Sequence, residues 1–74
     1  MVSATVREAL WKAAEDGEFR RRTLANLGIA LAEEGFILTD DEMGTMRSYW
    51  ESLAGLTEPA LSKRVMALAR AYPR

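Results

Sequence analysis

The stretch Thr39-Asp40-Asp41-Glu42-Met43-Gly44-Thr45-Met46 decides the fold class. Thr39 is a helix cap, and Glu42, three residues on, closes the capping box by reaching back to the cap's own N–H. Asp40, Asp41 and Glu42 all fall in the first turn, where the positive end of the helix macrodipole favours carboxylates. Met43, Met46, Trp50 and Leu53 follow at the three- and four-residue spacing of a buried helical stripe, and Gly55 stops the run.

Reading outward toward the N-terminus, Phe36-Ile37-Leu38 is an extended apolar connector, too short to form a sheet alone. Gly35 before it suits the residue just past a helix end. The segment Glu18 to Glu34 reads as one long helix or two short ones, with Asn26 as pivot, since Asn is a favoured cap. Leu27, Ala30 and Leu31 stripe the second piece, Phe19 and Leu24 the first; Gly28 favours the break. Asp16-Gly17 ends an earlier helix, expected over Thr5 to Glu15 with Thr5 and Glu8 as capping box and Val6, Ala9, Leu10 and Ala13 facing the core. Trp11 flanks that stripe.

Toward the C-terminus, Thr57-Glu58-Pro59 restarts the chain as cap and first turn. Leu61, Val65, Leu68 and Tyr72 line a final helix that Pro73 ends. The chain is therefore expected to be all-α, a small bundle of four or five short helices in one domain over residues 1–74. Residues 5–54 would form its core and 57–72 an additional C-terminal helix or tail.

Composition narrows function. Histidine and cysteine are both absent, which removes the commonest general base, the thiolate nucleophile and the usual soft metal ligands. Such a chain, with no room for a walled pocket, is expected not to be an enzyme and to carry no cofactor or metal. A net charge of −1 gives no attraction of the whole chain to phosphate or anionic lipid, so neither nucleic acid nor membrane is an expected partner. No apolar run approaches the roughly 18 residues a span needs, and the N-terminus lacks a signal peptide's apolar region, so the expected location is the cytoplasm.

Arg20-Arg21-Arg22 is the only charge run with the look of a partner site, but at about 100° per residue its members fan around the helix. The plainer reading is a solvated face paired with Glu18 and neighbouring acids. A recognition helix over Asp40 to Leu53 would push three acids against phosphate. The same carboxylates do not converge as metal ligands, and capping already explains them. By contrast, two tryptophans, two phenylalanines and three internal methionines exceed what so small a bundle can hide. Some of Trp11, Phe19, Phe36 and Trp50 are expected to stay partly exposed, as partner surface.

Three blocks carry a resemblance: Asp16-Gly17-Glu18-Phe19-Arg20 with Thr23-Leu24, then Asn26-Leu27-Gly28-Ile29-Ala30-Leu31, then Gly35-Phe36-Ile37-Leu38-Thr39-Asp40-Asp41-Glu42. Over about half the chain this resembles the helical leader domains of bacterial ribosomally made, post-translationally modified peptides, of nitrile-hydratase-like and borosin-precursor type. It is also similar to the helical subunit of extradiol ring-cleavage dioxygenases. Gly17, Asn26 and Leu27 depart from the Asp-Pro pairs of that pattern, and no double-glycine cleavage site follows. The resemblance implies a domain bound by a larger modifying enzyme or catalytic subunit through Phe19, Arg20, Leu24, Phe36 and Leu38. In that reading the tail from Leu56 onward is the modified part, at its backbone, at Thr57 or Ser62, or at Tyr72-Pro73-Arg74. The alternatives are a small accessory subunit that stabilises an enzyme, and a DNA-binding or antitoxin-like regulator. Spare aromatics also leave room for a homodimer.

Overall fold

A computed structural model describes residues 2–74. Five helices follow one another: α1 Ala4–Glu15, α2 Gly17–Ala25, α3 Leu27–Glu33, α4 Asp40–Glu51 and α5 Glu58–Arg70. No strand occurs among the described residues, and none of these helices is long and apolar enough to cross a membrane. The chain is a small all-α globule.

Local chemistry sets most of the boundaries. The Asp16 carboxylate accepts from the N–H groups of Glu18 and Phe19, at 3.0 and 3.1 Å, and so separates α1 from α2. The Phe19 N–H is the main reason its pKa lies below the ordinary carboxylate value. Asn26 does the same between α2 and α3, its side-chain oxygen accepting from the Ile29 N–H at 3.0 Å. The segment Glu18 to Glu34 is thus two helices. Gly35 takes the left-handed conformation (φ 81°). The N–H groups of Gly35 and Phe36 then return to the carbonyls of Ala32 and Leu31, the paired bonds that close a helix end on glycine. At α4 both halves of the Thr39–Glu42 capping box form.

Three expected boundaries move. α4 ends at Glu51 rather than running to Gly55, so Leu53 reaches the core from the turn beyond the helix. Ser3, not Thr5, caps α1: its hydroxyl oxygen accepts from the Val6 N–H at 3.2 Å, leaving Thr5 inside the first turn. The Ser3 hydroxyl also donates to the Glu42 carboxylate of α4, a tertiary bond that local spacing does not encode. That hydroxyl, followed by the Thr39 N–H, holds Glu42 below its ordinary pKa. Thr57 occupies the cap position of α5 without a side-chain cap bond, and α5 closes at Arg70, short of Tyr72.

One core joins the five helices. α1 contributes Val6, Ala9, Leu10 and Ala13, and α5 contributes Leu61, Val65 and Ala69 along the α1–α5 seam. Phe19, Leu31, Met46 and Trp50 fill the space behind α1 from the other helices. The one hydroxyl buried there is satisfied twice: Thr23 accepts from the Trp50 indole N–H at 2.8 Å and donates to the Arg20 carbonyl at 2.6 Å.

Candidate docking surface

The residues proposed from sequence do not form one face. Phe19 is fully buried, its ring tilted against that of half-buried Phe36 at 6.1 Å between centroids. It shapes the core and presents no surface. Arg20 is also buried, and its guanidinium is a brace among three helices. One terminal nitrogen donates to the carbonyls of Ala13 and Ala14 at the end of α1, at 2.7 and 3.2 Å; the other donates to Glu58 at the start of α5, at 2.8 Å. Leu38 is half-buried against the core. Only Leu24, 43% exposed, stands clearly at the surface.

The arginine run is divided by helix geometry into three separate duties. Arg20 faces inward, while Arg21 is exposed. Arg22 lies over the Phe19 ring at 5.8 Å and pairs with Glu33, the last residue of α3, and with Glu34, its C-cap. The Glu34 bond is the chief reason its pKa is raised. Glu18, the expected local partner, takes part in none of these pairs; the acids come from the end of α3 and the start of α5.

The surface that does gather apolar side chains lies where the α2–α3 junction meets the end of α4. There Leu24, Leu27, Trp50, Leu53 and Leu56 line an open groove of about 480 Å³, with Arg47 and Glu51 on its rim. The Asn26 break creates one wall by turning the chain before Leu27 can continue the line of α2. The turn from Ser52 to Gly55 (φ 82°) creates the other. Two large aliphatics outside it, Ile29 at 57% and Ile37 at 89%, are more exposed than any aromatic side chain. Ile29 falls off the Leu27–Ala30–Leu31 stripe, so its exposure was readable from periodicity. The groove was not, because it needs α4 placed beside the α2–α3 turn.

Of the tryptophans and phenylalanines, Trp11 and Phe36 are half-buried, while Phe19 and Trp50 are enclosed. No cluster of three or more potential metal-ligating side chains occurs among the described residues. Comparison of the chain with protein-family models, curated proteins and solved structures finds no match.

Proposed function

We propose that the chain is a recognition module, of the type found as leader domains in modified-peptide precursors, on which a larger enzyme docks. The observation that carries this reading is the groove beside Leu24: a folded chain leaves Leu24 exposed at a concavity whose walls are the half-buried Leu27 and Leu56 and the outer edges of Trp50 and Leu53. Filling such a concavity with a partner's side chain removes that surface from water at about 25 cal/mol per Å². Docking would hold the rest of the polypeptide near the enzyme's active site at raised effective concentration. Leu24 and the groove take the place of Phe19 and Arg20 as the partner contacts, while Phe36 and Leu38 lie outside the groove, half-buried against the core.

The test is co-expression with the enzymes encoded beside it, followed by mass measurement and isolation of the complex. A recognition module gains mass on the wild-type chain and loses both the modification and the complex in Leu24→Glu, a surface change that leaves the fold intact. Unchanged mass with every neighbouring enzyme removes the leader reading.

A second reading, the accessory subunit, is favoured by one observation. The segment expected as a modifiable tail is a structural helix: Leu61, Val65 and Ala69 of α5 are buried, and the Tyr72 carbonyl accepts from the Trp11 indole at 3.0 Å. An accessory subunit forms a long-lived stoichiometric complex that Leu24→Glu weakens, and its large subunit loses activity when isolated. A large subunit fully active alone excludes it.

A further inference from the structure

Charge is segregated along this chain. Residues 1–58 carry six basic and eleven acidic side chains, whereas residues 59–74 carry four basic and no acidic ones. Of those four, Arg74 pairs with Glu15. Lys63, Arg64 and Arg70 are exposed and form no ion pair among the described residues. The macrodipole accounts for Arg70 in the last turn of α5 but not for Lys63 and Arg64, which lie in the middle of the helix.

Lys63 and Arg70 are seven residues apart, so they stand on one side of α5 about 10.5 Å apart along its axis. Between them lie exposed Ala67 and half-buried Met66, and with Ser62 these residues line a shallow cleft of about 430 Å³. Two cations at one-heptad spacing over an apolar floor are complementary to a second helix carrying acids at the same spacing. The small Ala67 side chain lets such a helix approach to the usual interaxial distance of about 8–10 Å.

We propose that the outer face of α5 docks an acidic helical segment of a protein partner. This surface is separate from the groove at Leu24 and does not depend on it. Duplex DNA fits less well, because the remainder of the chain carries the acidic excess and would repel phosphate. An anionic membrane fits less well, because the apolar side of α5 is already buried against α1 and has nothing left to insert.

The test titrates the ¹⁵N-labelled full chain with a synthetic helical peptide bearing Glu at i and i+7 around Ala. A sequence-matched Lys peptide, duplex DNA and phosphatidylserine vesicles serve as rival probes. The Glu peptide should shift the amides of residues 62–70, and its affinity should fall steeply between about 50 mM and about 500 mM salt. Lys63→Glu with Arg70→Glu should weaken it about tenfold or more, and Leu24→Glu should leave it unchanged. Helical circular dichroism checks the double variant, and Lys63→Gln with Arg70→Gln replaces it if folding suffers. The proposal is overturned if the shifts lie outside α5, if the Lys peptide binds equally, or if DNA or vesicles bind more tightly than the Glu peptide.

Discussion

The two sides of this molecule handle their apolar residues in opposite ways. Along the α1–α5 seam, Ala9, Leu10 and Ala13 meet Leu61, Val65 and Ala69 with essentially no surface left over. The C-terminal end is fastened there as well. Trp11 donates to the Tyr72 carbonyl, Arg74 lies over the Trp11 ring at 4.8 Å, and the Tyr49 and Tyr72 hydroxyls are 2.9 Å apart. Across the molecule, the short helices α2 and α3, of nine and seven residues and separated at the Asn26 break, leave Leu24 and Ile29 in solvent. The seam is closed throughout, whereas the groove side keeps apolar side chains in reach of solvent, and it is there that the proposed partner would dock.

The sharpest break of this contrast sets Phe19 against Leu24, two apolar residues of one helix. Phe19→Ala opens a cavity beneath Phe36 and should cost about 3–5 kcal/mol, enough to unfold much of a domain whose total stability lies near the low end of about 5–15 kcal/mol. Leu24→Ala should stay within about 0.5 kcal/mol. Urea titration followed by circular dichroism measures both. Equal costs would mean that Leu24 itself is part of the core.

Arg20 comes next, because it links the two sides. Arg20→Ala removes the donors held by the Ala13 and Ala14 carbonyls and by Glu58. Stranding those acceptors should cost about 2–3 kcal/mol. Arg20→Lys should recover less than half of that, since a single ammonium cannot reach both the α1 carbonyls and Glu58 as the planar guanidinium does. Full rescue by lysine in the same urea titration would show that charge alone, and not the fork geometry, ties α2 to the seam.

The difference between the sides also explains what the sequence revealed. Helix ends fixed by neighbouring residues were legible: Asp16, Asn26, Gly35 and the Thr39–Glu42 box each act within a few positions of themselves. The Ser3 cap is just as local, but Thr5 with Glu8 offered a competing capping-box spacing; what spacing does not encode is the second bond of the Ser3 hydroxyl, to Glu42 thirty-nine residues away. The residues of the candidate docking surface were the least legible. Phe19 and Arg20 carry the chemistry of a contact site, yet the angle of α2 against α1 turns both inward. The groove is assembled from Leu24, Leu27, Leu53 and Leu56, none of which is unusual in the sequence. Periodicity assigns a residue to a face; it does not decide which faces meet.

The smallest of these effects probes the fastening at the end of the seam. The hydrogen bond to Tyr72, reinforced by partial burial, pushes the Tyr49 phenol up to about 12 from its usual value of 10.0. A phenol whose folded-state pKa exceeds its unfolded one stabilises the fold fully below pH 10, and the contribution is lost as pH rises from there toward 12. Stability should therefore decline over that alkaline range in the wild type. Tyr49→Phe should lower stability by about 0.5–1 kcal/mol at neutral pH, the worth of one lost hydrogen bond, and remove its share of the alkaline decline. Phenolate absorbance during titration follows the group directly, and urea midpoints at several pH values follow the linkage. A Tyr49 that ionises near pH 10 would show the Tyr49–Tyr72 pair open in solution. The C-terminal residues after α5 would then keep only their bonds to Trp11, to Glu15 and to the last turn of α5, leaving that end of the seam less firmly closed.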